Sequence, residues 1–184
     1  KGGIGMQRFF AVTPEQAREA ARPGYTLAHV AYCIGPDSTL LRQALPLRTR
    51  GGAMSISDRD APTVEAPEEL CAAVLRECGR WGYTGVVLDW EEAPRGDLIA
   101  LIRRLAPPLH SQRRALYLPE SYAQAMEDGT TLLVCTAISG GSLREHLLET
   151  ARACGGAQRL ALDVQRLRMD FRLPARTGQG EPLS

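Results

Sequence analysis

Five cysteines in 184 residues is an odd number, and no two of them stand in C-x-x-C spacing. That argues against a disulfide framework and against a zinc-binding cluster. Cys33, Cys71, Cys78, Cys135 and Cys154 are expected to be reduced, most of them as small core residues. The three histidines, His29, His110 and His146, show no metal-ligand spacing, so neither a metal nor a cofactor is expected. Charge of one sign is lacking too, with a formal net charge of +1 and scattered arginines. Nucleic acid and acidic membranes are therefore not expected partners. No apolar run approaches the roughly 18 residues of a membrane span. No signal peptide is recognisable in a stretch that starts Lys1-Gly2-Gly3, which with the odd cysteine count points to the cytoplasm.

What the chain does have is alternation. Apolar, β-rich segments recur at Gln7–Val12, Thr26–Ile34, Gly52–Ser57, Thr84–Trp90, Arg114–Leu118, Thr131–Ile138 and Leu160–Val164. A further strand is suggested around Met169–Leu173. These runs are continuous rather than alternating, as parallel strands covered on both faces are. Helical patterns lie between them. Thr13-Pro14-Glu15-Gln16 carries a cap, an N1 proline and a Gln at N3. Pro67–Trp81 shows one apolar stripe of Leu70, Ala73, Val74, Cys78 and Trp81. Gly96–Leu105 repeats it and should stop at Pro107-Pro108. Ser142–Cys154 opens on a capping box and closes on Gly155-Gly156. Ser38–Leu45 reads as a short helix.

Strand–helix alternation implies parallel strands joined by right-handed crossovers. The first strand runs into Thr13-Pro14 where a nucleotide-binding open sheet would have a glycine-rich loop. The preferred fold is therefore an α/β barrel of the TIM type, trimmed relative to eight units, over residues 1–184 as one domain. The Gly/Pro-rich residues Pro174–Ser184 are expected to form a flexible tail.

The most informative stretch is Gly85-Val86-Val87-Leu88-Asp89-Trp90-Glu91. Strand side chains alternate, so Gly85, Val87, Asp89 and Glu91 share a face. In a barrel that face is the interior, and the C-terminal end is the catalytic end. Two carboxylates this close push one pKa upward, which suits a general acid. Ser55 near the end of the third strand, Tyr117 near the end of the fifth and Asp163 near the end of the seventh are candidates to line the same mouth.

This segment resembles the fourth-strand DxxDxDxE motif of family 18 glycoside hydrolases, the chitinases and their relatives, often written DGxDxDWE. Here Thr84, Val87, Asp89 and Glu91 stand at the four acidic positions, and Gly85 and Trp90 match the residues between them. Thr26-Leu27-Ala28-His29-Val30-Ala31-Tyr32 is similar to the family's second strand, and Met54-Ser55-Ile56-Ser57-Asp58 to its third-strand SxGG motif. The resemblance implies an enzyme that cleaves N-acetylglucosamine-containing glycans, chitin or peptidoglycan, with no cofactor. Glu91 would be general acid/base, and Asp89 would orient the substrate's own acetamide for attack on C1. Tyr32, Ser55, Tyr117 and Asp163 would contact substrate.

Four positions depart from the family pattern. Thr84 replaces the first Asp, Val87 replaces the inner Asp that supports the orienting one, no tyrosine ends the sixth strand, and no tryptophan follows Trp90. Aromatic residues, the usual platforms for sugars, are 5% of the chain. Three readings follow: a weak glycosidase, a barrel that has lost catalysis and binds a glycan or protein at the same mouth, or a small-molecule α/β enzyme unrelated to sugars. The family resemblance also allows an exported or cell-wall-associated protein, and the oligomeric state stays open.

Overall fold

The computed structural model describes residues 6–13, 24–46, 51–58, 63–65, 67–90, 94–136 and 141–164. The strands are β1 (Gln7–Val12), β2 (Thr26–Ile34), β3 (Leu40–Arg42), β4 (Ala53–Ser57), β5 (Gly85–Asp89), β6 (Ala115–Pro119), β7 (Thr130–Cys135) and β8 (Leu160–Asp163). The helices are α1 (Pro67–Trp81), α2 (Gly96–Ser111) and α3 (Leu143–Cys154). Seven strands pair in parallel in the order β1-β2-β4-β5-β6-β7-β8, and β8 pairs back onto β1, closing a barrel. This is the trimmed α/β barrel that the alternation of strands and helices implied. The helix expected from Thr13-Pro14 and the strand around Met169–Leu173 lie outside the described residues.

β3 corrects the helix expected over Ser38–Leu45. It pairs antiparallel with the end of β2, Cys33 opposite Leu41. A tight turn makes the reversal, with Ser38 N–H donating to Gly35 O, Gly35 N–H to Thr39 O, and the Asp37 carboxylate accepting from Thr39. A segment this short cannot repay helix nucleation, whereas an existing strand edge offers partners at once.

α2 also departs from expectation, because Pro107 and Pro108 lie inside it. Both sit toward the outer side, while Leu105, Ala106 and Leu109 continue the buried stripe of Leu98, Leu101 and Ile102. Burial of that stripe outweighs the bonds the prolines cannot donate. In α3, Ser142 stands at the N-cap without a side-chain cap bond, so the expected capping box does not form, while Gly155 ends the helix in the left-handed region at φ 94°.

Two apolar layers result. Outside the wall, Met54, Ile56, Val86, Leu88, Leu116 and Leu118 pack against α1 and α2. Inside, Phe9, Ala28, Ala53, Val87, Tyr117 and Ala161 form a smaller cluster. All five cysteines are free thiols.

Candidate active site

Strand register stacks the interior in rows. Ala28, Ala53, Gly85 and Ala115 are Cα partners at the lower level. Val30, Ser55, Val87 and Tyr117 form the row above. Cys33, Ser57 and Asp89 form the next, at the C-terminal end. Asp89 is the last residue of the fourth barrel strand, half-buried, and Ser57 stands beside it. Asp163 ends β8, half-buried and level with Cys135. β5 and β8 are three strand steps apart in a seven-strand ring, so the two aspartates rise from opposite walls.

Glu91 lies outside the described residues, but both ends of its short segment are anchored. Trp90 is buried on the outer face, its ring edge-on to Tyr122 with centroids 5.1 Å apart. The Arg95 backbone N–H donates to the Tyr122 hydroxyl at 3.4 Å, and its guanidinium donates to Asp97 at 3.1 and 3.0 Å. Asp97 also accepts from the backbone N–H groups of Val64 (2.8 Å) and Leu98 (2.9 Å). Burial works against its ionisation, but these donors together hold the Asp97 carboxyl below its usual range. Sequence reasoning missed this anchor. The available signal was Asp97 in the first turn of a predicted helix, one residue after Gly96.

The other expected site residues divide. Ser55 faces the interior, 4% exposed, one row below Ser57. Tyr117 also faces the interior, but it packs edge-on against Phe9 (4.4 Å), and its hydroxyl donates to Gln7 at the start of β1 (2.9 Å). It therefore points to the N-terminal end of the barrel, away from Asp89. Tyr32 is turned outward. A register shift between Val30 and Tyr32 puts it in the helix-facing layer, where its hydroxyl donates to Glu77 of α1 at 2.8 Å. Neither tyrosine is brought to the mouth beside Asp89. The shift was invisible in the sequence because strict alternation assumes no bulge.

Glu77 gathers three donors: Tyr32, Arg42 (2.6 Å) and the Trp81 indole N–H (2.9 Å). Burial opposes its charge, and these bonds outweigh that, so its carboxyl titrates below the usual range. This hub ties β3 and β2 to α1. His29 is buried beside the Tyr83 ring at 5.6 Å, a core position, and burial lowers its pKa. His146 pairs with Glu120 at 2.5 Å, joining α3 to the turn after β6.

Among the described residues no aromatic side chain lines the C-terminal mouth. Trp90, Tyr122, Tyr32 and Tyr83 belong to the outer layer, and Phe9 and Tyr117 fill the barrel below. No group of three or more metal-ligating side chains occurs among those residues either.

No family profile matches this chain. No curated protein matches it. Solved structures with the same fold include two enzyme-derived chains. The spore cortex-lytic enzyme SleL of Bacillus megaterium superposes with a TM-score of 0.64 at 9% identity, over 85% of this chain and 49% of that one. The C-terminal domain of a candidate chitinase from Desulfitobacterium hafniense superposes with a TM-score of 0.58 at 13% identity, over 86% of this chain and 66% of that one. This chain thus spans about half the length of the cortex-lytic enzyme. What it shares with both is the architecture, a closed parallel α/β barrel.

Proposed function

We propose that this barrel is a family 18-like glycoside hydrolase of low turnover that acts on N-acetylglucosamine-containing glycans, chitin or peptidoglycan. The observation that carries the reading is Asp89, half-buried on the axis-facing side at the C-terminal end of the fourth barrel strand, with Ser57 beside it. In the proposed reaction Glu91 protonates the glycosidic oxygen and the leaving sugar departs. The substrate's acetamide oxygen forms the new bond to C1, and Asp89 orients that group. Water then opens the cyclic intermediate, with Glu91 taking its proton. Asp163, on the opposite wall, and Ser55 are the proposed sugar contacts, while the orientations of Tyr32 and Tyr117 favour structural roles for both.

The low turnover follows from Val87, which supplies no carboxylate below Asp89. Each missing transition-state donor costs about 2.7–4 kcal/mol, a hundred- to thousand-fold in rate. A second reading, binding of a glycan or protein without hydrolysis, is favoured by the lack of aromatic platforms at the described part of the mouth.

Assays of wild type, Glu91→Gln and Asp89→Asn on chitooligosaccharides and peptidoglycan fragments separate the two. Hydrolysis predicts slow wild-type turnover that falls at least about a hundred-fold in Glu91→Gln, with glycan binding kept. Turnover unchanged in Glu91→Gln removes that residue as the acid. Binding with no turnover in any of the three establishes the second reading.

A further inference from the structure

Strand register with Ser57 fixes Asp89 in the barrel wall, and β5 ends there. Glu91 comes two residues later, beyond the paired residues of β5, so the ladder that places Asp89 does not place Glu91. The described residues on either side of Glu91 converge instead on one side chain. Trp90 is 2% exposed, and its indole N–H has no hydrogen-bond partner among the described residues, so packing sets the ring. Tyr122 meets that ring edge-on, with centroids 5.1 Å apart. Five residues after Trp90, the Arg95 backbone N–H donates to the hydroxyl of the same Tyr122 at 3.4 Å.

Tyr122 is itself firmly held. It stands at the kink between two short 3-10 turns over Glu120–Ala125, with φ −100° and ψ 18°, and is 1% exposed. β6 leads into this segment at Pro119, and the Glu120–His146 pair ties it to α3. The anchor for the acidic segment therefore comes from the connection that follows the neighbouring strand. A segment held at both ends samples far fewer conformations than one held at a single end. Displacing a reacting group by about 1 Å can cost about a hundred-fold in rate.

We propose that Tyr122 is a positioning residue for Glu91: its ring holds Trp90, its hydroxyl holds the Arg95 N–H, and the two contacts fix both ends of the segment that carries the acid. This role rests on the glycosidase reading and adds to it a residue outside the acidic strand. The 3.4 Å bond is long for an N–H donor, so the ring contact is the stronger hold. Asp89 does not depend on Tyr122, because pairing with β4 keeps it in place.

The experiment compares two N-acetylglucosamine oligomer substrates that differ in leaving group. A 4-nitrophenyl group departs without a proton, whereas a sugar needs one from the acid. The measured quantity is kcat/KM, which reports the cleavage step, for wild type, Glu91→Gln, Tyr122→Leu and Tyr122→Phe. Glu91→Gln sets the signature of a lost acid, at least about a hundred-fold down on the sugar leaving group and nearly unchanged on the aryl one. Tyr122→Leu is expected to show the same signature, about a hundred-fold on the sugar leaving group. Tyr122→Phe keeps the ring and loses about three- to ten-fold there, the worth of one hydrogen bond. If Tyr122→Leu melts below the assay temperature, Tyr122→Phe decides by the same comparison. Equal losses on both substrates, or no loss on either, overturn the role of Tyr122 and leave the glycosidase reading intact. A wild type that cleaves neither substrate, or a Glu91→Gln variant without the signature, overturns that reading and the role of Tyr122 with it.

Discussion

The outer and inner faces of the barrel wall are built differently. On the outside, Met54, Ile56, Val86 and Leu88 meet Leu98, Ile102 and Leu105 of the helices in a dense layer of large side chains. On the inside the same strands offer alanine, glycine and serine, and two rings, Phe9 and Tyr117, do most of the filling. The outer layer buries far more apolar surface, so it carries most of the stability. The inner one is free to vary toward the C-terminal end, where Ser57, Asp89 and Asp163 replace apolar residues. The helix-facing core and the candidate site thus occupy opposite faces of one wall, and a one-residue shift in a strand moves a side chain from one face to the other, as Tyr32 shows.

The comparison can be broken by deletion on the outside. Ile102 is fully buried in α2, and Ile102→Ala is expected to cost about 2–5 kcal/mol. Chemical denaturation checks it, and a loss below about 1 kcal/mol would show that the helix layer is not the main source of stability.

Insertion on the inside tests the other face. A Cβ on Gly85 would lie 2.9 Å from the Tyr117 ring and 3.0 Å from the Ala115 carbonyl oxygen. Gly85→Val therefore overpacks the interior, with an expected loss of about 1–3 kcal/mol, smaller than the outer deletion. Thermal melts of the two variants side by side give the order, and a reversed order contradicts the assignment of stability to the outer layer.

The smallest effect sharpens the comparison through pH. His29 faces the outer layer, and burial holds its pKa below the ordinary value. Its depressed folded pKa means that the fold keeps it neutral while the unfolded chain takes up a proton below about pH 6.5. Stability from this residue is complete above that pH and declines as pH falls, by no more than about 1.4 kcal/mol per unit. Denaturation midpoints of wild type and His29→Leu between pH 7 and 5 should differ in slope, with the variant flatter. Equal slopes would mean that His29 titrates alike in both states.

Much of this was legible beforehand. Pro67–Trp81 begins and ends as the apolar stripe and its flanks require, and the barrel strands fall where continuous apolar runs lie. Periodicity is a local signal, and burial on both faces writes it directly into composition. β3 and the last turn of α2 were not legible. A short segment with no decisive pattern took whichever partner was near, and two prolines were tolerated because the packed stripe continued past them. In the candidate site, the side of Asp89 follows from alternation along its strand, whereas Tyr32 depended on a bulge and Tyr117 on where Gln7 waited.

The sequence by itself determined the class of fold and the face of the acidic strand, because side-chain alternation and apolar continuity follow from backbone geometry alone. Only the tertiary structure decided which side chains share the mouth. That depends on strand register around a closed ring, on one shifted residue in β2, and on contacts such as Trp90 with Tyr122 and Glu77 with Tyr32, between residues 32 and 45 positions apart in the chain.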